Sequence, residues 1–573
     1  MIAESARYFV GGAEKALRFL SAEVRGLHAA AYVLASAALL SSLLALVRDR
    51  LLAHTFGAST TLDIYYAAFR VPDLIFVALG ALVSVYILIP ELVRRDGESQ
   101  RSYLDTMFVA FSLFAIAVAC IAMWIAPSVL ERLFPDFVAK GYLPHIVVLT
   151  RIMLIQPVLL GLSNILAAIT QVKHRYALYA LSPLLYNLGI IIGISVLYPL
   201  LGMQGLAWGI VLGSLLHFSI QVPSVIGDGF LRRLRIREPL AIVQTVALSL
   251  PRALALSMNQ VAFLGLTALA ATLPAGSIAI FMFGFNLQAV PLAIVGASYS
   301  VAAFPTLAAA LSKGAYQEFI SHVAIAARYV FFWSFPASIL ILVLRAHIVR
   351  VILGSGAFDW TDTRLTAAAF ALLALSLASQ GLMLLLVRGY YASGRTFVPF
   401  IISGAIALST IGLGTFSIQA LAFEPFRHVV EVFLRVEDIP GSSVLGLAFS
   451  YAFVTIIGSF VMLAHFEYRF RGFFMQIWRS VWQSLLASLA IGLGAYFSLS
   501  AMSVLGETTT ALRLMSEGLI AGVVGLVVGA VAYYAIGSRE FLEVWASVQG
   551  KLWRAPMRKD ITLASTAEES PDV

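Results

Sequence analysis

Six ionisable residues interrupt the apolar start of this chain: Arg48, Asp49 and Arg50 close one long apolar run, and Asp63, Arg70 and Asp73 lie at the opening of the next. A charge inside hydrocarbon costs about 2.5 to 3.5 kcal/mol on insertion scales, so such a group normally lines a cavity or pairs with an opposite charge. A guanidinium stays charged when desolvated and offers phosphate oxygens a planar fork of donors, which suits arginines in an intramembrane cavity to an anion. A lipid-linked phosphate is the natural candidate. Asp63 and Arg70 stand about two helical turns apart, with Tyr66 and Ala67 between them, so one helix face carries both and a cavity-facing ion pair is expected. The alternative reading is that Arg48 and Arg50 snorkel from the end of the first run and that Asp63 caps the second.

Further along, Arg252 follows Pro251 at the start of an apolar run, within reach of a central cavity or an interfacial anchor. Between Glu238 and Glu318 there is no acidic residue. A cation or proton site that needs a carboxylate must therefore draw on Asp49, Asp63 or Asp73. Asn259, Gln260, Asn286 and Gln288 either line a polar cavity or bond between helices. Arg388, before Gly389-Tyr390-Tyr391, reads as a cytoplasmic gate or lipid-headgroup contact, with loop charge as the alternative. No HExxH, GxxxxGK[ST] or GxSxG pattern occurs. Cys120 is the only cysteine, which rules out an intrachain disulfide or a thiolate zinc site. No cofactor or metal is expected, and transport or lipid handling is favoured over catalysis.

The elements that must carry these residues follow from composition. The chain is 60% hydrophobic and 12% charged, with a mean hydropathy of +0.92, which marks an all-α, polytopic membrane protein. About fourteen transmembrane helices are expected. With the N-terminus cytoplasmic, 25 of the 38 basic residues fall in inside segments, and the alternation never reverses. The net charge of +8 is thus explained by orientation in the membrane and implies no nucleic acid. Gly161-Leu162 and Arg175 recur as Gly381-Leu382 and Arg395, and Pro90-Glu91-Leu92 recurs as Pro305-Thr306-Leu307. Those matches divide the chain into two six-helix lobes in parallel pseudo-repeat plus two C-terminal helices. The expected units are an amphipathic interfacial helix at 1–27, a six-helix lobe at 28–224, a basic cytoplasmic linker at 225–243 and a second six-helix lobe at 244–465. Two extra helices at 466–536 and a polar, partly disordered cytoplasmic tail at 537–573 complete the chain. The longer outside segments 127–145 and 421–440 are expected along the outer interface.

The chain resembles the MurJ/MviN-type lipid II flippases of the multidrug/oligosaccharidyl-lipid/polysaccharide exporter superfamily. The resemblance is carried by Leu46-Val47-Arg48-Asp49, Phe56-Gly57-Ala58, Asp63 and Ala68-Phe69-Arg70-Val71-Pro72-Asp73-Leu74. It continues through Leu149-Thr150-Arg151-Ile152-Met153 with Gln156, Leu181-Ser182-Pro183 with Asn187, Ala303-Phe304-Pro305-Thr306-Leu307 and Arg388-Gly389-Tyr390-Tyr391-Ala392. It implies two lobes around a cationic cavity, two extra helices forming a lipid-tail groove, and outward movement of an undecaprenyl-diphosphate-linked peptidoglycan precursor by alternating access. It also implies a bacterial cytoplasmic (inner) membrane location, both termini cytoplasmic, with membrane lipids and cell-wall synthesis proteins as partners. Arg48, Arg70, Arg252 and Asn286 are the expected substrate-binding residues, and Asp49, Asp63 and Arg388 the coupling or gating residues. The pattern departs at Ser42 and Ala45, where an arginine and a glycine are usual, at Phe76 and Val77 in place of arginines, and at Phe285 and Asn286 in place of an acidic and basic pair. The alternatives are an exporter of another lipid-linked oligosaccharide or a drug, and a non-transporting membrane scaffold.

Overall fold

The computed structural model describes residues 27–231, 234–437, 439–503 and 511–552; the interfacial helix expected at 1–27 and the tail beyond 552 lie outside them. Among the described residues there are helices and no strand. Hydrocarbon offers the backbone no hydrogen bonds, and a helix satisfies its own. Every one of the fourteen apolar runs falls on a helix. In chain order, span one is Leu27–Phe56, span two Thr60–Leu82 continued by Val85–Val93, span three Gly97–Leu133, and span four Leu143–Met153 with Ile155–Val172. Span five runs from Tyr176–Ile192 through a π turn to Tyr198–Leu201, span six is Met203–Ser219 and span seven Pro239–Ala271. Span eight joins Ser277–Leu292 to Ser298–Ser312 through a second π turn, span nine is Tyr316–Leu353, and span ten is Trp360–Ala374 with Leu377–Ala392. Spans eleven to fourteen are Phe397–Ala422, Val444–Arg469, Phe473–Ser503 and Ala511–Ile536. Among the described residues, twelve helices are long and apolar enough to cross a membrane, thirteen with the bent pair of span ten counted as one; span one, thirty residues long, stands beside that set.

Prolines explain how the spans lock together. Proline lacks an N–H and leaves the carbonyl four residues back without its helical donor. Pro72 frees the Ala68 carbonyl, which accepts from Thr150 Oγ1 of span four at 3.1 Å. Pro127 frees Met123, whose oxygen takes Arg151 Nε at 3.0 Å, and Pro336 frees Phe332, which takes the Tyr533 hydroxyl of span fourteen at 3.2 Å. Each kink thus becomes a joint between neighbouring spans. Spans two and eight are both interrupted midway, as are spans four and ten, the pairs that the sequence offsets of 215 and 220 relate.

The hydrophobic core is distributed unevenly. On the face carrying the links 57–59, 272–276 and 354–359, one cluster runs through both lobes, from Leu62, Ile146 and Ile190 to Phe283, Phe370 and Leu447. Towards the face carrying the basic loops it divides in two. One cluster, around Leu79, Phe111 and Ile169, belongs to the first lobe; the other, around Phe319, Leu385 and Phe466, belongs to the second. The lobes are welded on one face and separate on the other. Span seven bridges them, packing on span two along one side and span eleven along the other.

The segment expected as a polar, partly disordered tail begins with an ordered element: Arg539–Leu552 is a helix folded back on span nine, with Arg328 pairing to Glu540 at 3.5 Å and Tyr329 bonding Glu543. Phe541 stacks on Tyr533 and Trp545, apolar contacts that a composition average over 537–573 conceals.

Candidate functional site

A cavity of about 230 Å³ lies between the lobes, walled by spans one, two, five, seven and eight. Span one brings Arg48 and Asp49 to it. Span two contributes Tyr66, Arg70 and Asp73, which follow one another at four and three residues and so share a face. Arg48 uses every nitrogen of its fork that can reach inward: Nε and Nη2 contact Asp49 Oδ1 at 2.9 and 2.8 Å, and Nη1 donates to Asn187 Oδ1 at 3.1 Å. Asn187 is itself fixed, donating to the Pro183 carbonyl at 3.1 Å. Across the lobe boundary, the Asn286 amide of span eight faces Asp49 in the cavity wall. A polar chain Asn187–Arg48–Asp49–Asn286 thus runs from one lobe to the other. Arg70 donates to the Tyr66 carbonyl at 3.2 Å and sits 3.9 Å from Asp73. Two arginines and two aspartates make the lining formally neutral, and both guanidiniums are pre-oriented by the carboxylates beside them.

Arg48, Asp49, Arg70 and Asn286 are therefore brought together. The others are placed elsewhere. Asp63 does not pair with Arg70, although both lie on span two. Its Oδ2 accepts from Gly276 N–H at 2.6 Å and its Oδ1 from Ala279 N–H at 2.9 Å. The first turn of a helix has unsatisfied N–H groups and a positive end, so Asp63 caps span eight from the opposite lobe. Gly276 has φ +89°, and a Cβ there would meet the Ala58 carbonyl oxygen at 2.3 Å. Around this cap the weld is completed by Ala58 N–H donating to Asp362 Oδ2 at 2.9 Å, Ala357 N–H to the His54 carbonyl at 2.9 Å, and Arg50 to the Val351 and Ile352 carbonyls at 2.7 and 3.0 Å. Arg252 and Arg388 are outside the cavity lining, on the half that carries the basic loops. Arg252 lies over the Tyr391 ring at 5.8 Å, one turn from Arg388.

Sequence reasoning quoted Asn187 without assigning it to the site, and passed over Tyr65, Tyr186 and Phe263, which wall the cavity. Amides and aromatics are common in spans; the one available signal was position, since Asn187 lies one turn past Pro183.

A family model described as lipid II flippase MurJ matches residues 52–516. The chain belongs to the MurJ family. A lipid II flippase MurJ from Burkholderia cenocepacia is 26% identical over 390 residues, 65% of this chain and 74% of the relative. A solved structure of lipid II flippase MurJ in an inward closed conformation superposes with a TM-score of 0.68 at 20% identity, covering 90% of this chain and 99% of that one. An inward-facing multidrug resistance MATE family transporter of the MOP superfamily gives 0.60 at 13% identity, over 76% of this chain and 95% of the other. These structures share the two-lobed fold. Of the departures from the MurJ pattern, Phe285 and Asn286 line the cavity, whereas Ser42, Ala45, Phe76 and Val77 are not in its lining.

Proposed function

We propose that this chain moves lipid II, the lipid-linked peptidoglycan precursor, between leaflets by alternating access. The basic-loop face is cytoplasmic, both termini lie on that side, and the membrane is the bacterial cytoplasmic membrane. The observation that carries the reading is the pair of arginines, Arg48 and Arg70, held in a cavity between lobes that are welded on one face only. A diphosphate entering from the unwelded side meets both guanidiniums. It displaces Asp49 and Asp73 as their partners, and Asn286 is released with Asp49. That exchange couples headgroup binding to the contact between lobes. A cavity of 230 Å³ is below the roughly 300 to 1,000 Å³ of a drug-sized pocket, so a saccharide headgroup requires the lobes to part. Asp63 and the cap it makes on span eight form the opposing gate, and Arg388 with Arg252 meets headgroups at the cytoplasmic entrance. Contacts with membrane lipids, the undecaprenyl carrier and the proteins of cell-wall synthesis follow from that setting.

The binding step is tested with purified protein and a photoreactive undecaprenyl diphosphate. Crosslinking to spans one and two that falls about tenfold or more in Arg48→Ala and in Arg70→Ala supports the reading, a charge-assisted bond being worth roughly that factor. Equal crosslinking in all three proteins contradicts it. A second reading, another lipid-linked oligosaccharide as cargo, is favoured by the formally neutral lining and by Phe76, Val77, Phe285 and Asn286 in place of charged residues. Competition by unlabelled lipid II and by other lipid-linked saccharides separates the two.

A further inference from the structure

Between spans eleven and twelve, on the welded face, the helix Glu424–Leu434 lies with two dissimilar sides. Phe426, Val429 and Phe433 share one helical face and are 49%, 65% and 82% exposed. Arg427 and Glu431 occupy the other face and pair at 3.6 Å. Phe416 of the adjoining span eleven and Phe423 at its end are exposed as well. A phenylalanine this exposed, in a row with its neighbours, is what an interfacial helix presents to acyl chains.

The C-terminal end of the same helix gathers cations. Arg345 of span nine donates Nη2 to the Leu434 carbonyl at 2.9 Å, and Arg364 of span ten donates Nε and Nη2 to the Arg435 carbonyl at 3.2 and 2.6 Å. Arg435 ends the helix in the left-handed conformation, φ +59°, with its own side chain exposed. Terminal helix carbonyls attract guanidiniums, which explains why three arginines assemble there. A neutral carbonyl leaves their charge in place, and among the described residues no carboxylate lies within ion-pair distance of any of the three. Glu437, two residues past Arg435, is exposed, and Asp438 lies outside the described residues. Each arginine keeps N–H groups free of the carbonyl contacts, at the end of a helix whose apolar side is exposed.

We infer that Glu424–Leu434 and the arginines 345, 364 and 435 form a docking site for a phosphate-bearing lipid headgroup on the welded face. The apolar side rests among acyl chains and the guanidiniums hold the phosphate oxygens. The occupant is an anionic phospholipid of the surrounding bilayer, whose acyl chains meet the exposed phenylalanines and whose phosphate meets the guanidiniums. The inference stands apart from the transport reading, because it requires neither the central cavity nor movement of the lobes.

The test uses the full chain purified into vesicles of phosphatidylcholine with or without phosphatidylglycerol. A nitroxide is attached at Phe433→Cys in a Cys120→Ala background, and phosphatidylglycerol retained by the protein is counted by native mass spectrometry. The expected result is a label reached by oxygen and shielded from a water-soluble nickel chelate, with retention falling roughly tenfold in Arg364→Gln and in Arg435→Asn. Arg435→Asn is the informative variant, since asparagine tolerates the left-handed backbone and the side chain it replaces is exposed. Displacement of phosphatidylglycerol by undecaprenyl diphosphate at a tenth of its concentration overturns the phospholipid assignment; displacement only at equal or higher concentration supports it. Unchanged retention in Arg435→Asn overturns the site, whatever the depth of the label, and so does a label as open to nickel as one in an aqueous loop.

Discussion

At the residue scale, Arg48 is defined by geometry as much as by charge. Its three nitrogens address Asp49 and Asn187 in one plane, which a lysine ammonium cannot reproduce. Arg48→Lys is therefore expected to lose most of the activity that Arg48→Ala loses, measured as outer-face lipid II at equal membrane abundance. The Arg48–Asp49 pair also bears on stability. Removing one partner of a buried pair leaves the other uncompensated, at a cost of about 3 to 5 kcal/mol, whereas neutralising both is far milder. Thermal denaturation in detergent should show Arg48→Gln and Asp49→Asn each less stable than the double variant, with transport absent in the double variant. If the double variant is the least stable of the three, the pair is not coupled as drawn. These residues were legible in the sequence because charge inside hydrocarbon is costly enough to need a reason. Asn187 was not, because an amide in a span carries no comparable penalty, and Asp63 was misdirected towards Arg70 because its actual partners, Gly276 and Ala279, are more than 200 residues away.

At the element scale, the first turn of span eight is held from the other lobe by one carboxylate. Losing an N-cap costs about 0.5 to 2 kcal/mol, enough to shift an equilibrium between lobes several-fold or more. Asp63→Ala should raise the reaction of an impermeant maleimide with Ala58→Cys in a Cys120→Ala background. Gly276→Ala should raise it further, since it adds a strained backbone, about 1 to 2 kcal/mol, to a clash with the Ala58 carbonyl. Labelling unchanged in both variants would show that the cap does not hold the face shut. The helices themselves were readable from apolar run length, and the proline joints from the missing N–H. Which neighbour fills each freed carbonyl was not, because Thr150, Arg151 and Tyr533 reach it through tertiary packing that no local pattern encodes.

At the scale of the whole molecule, one continuous core joins the lobes on one face, and each lobe has its own core towards the basic-loop face. Internal offsets hinted at the two lobes. The weld between them was hidden, since it depends on Gly57, Ala58 and Asp63 meeting 276–279 and 357–362 in space. A reversible crosslink between Ala58→Cys and Ala357→Cys should stop transport, and reduction should restore it. Persistent transport with the crosslink intact would mean that the welded face does not have to open.

The most direct measurement is complementation of a flippase-depleted bacterium, scored by accessibility of lipid II on the outer face. The intact chain is expected to restore accessibility, with Arg48→Ala and Arg70→Ala failing at equal membrane abundance. Restoration by all three proteins would contradict a headgroup site on the first hairpin, and no restoration by the well-inserted intact chain would contradict lipid II as the cargo.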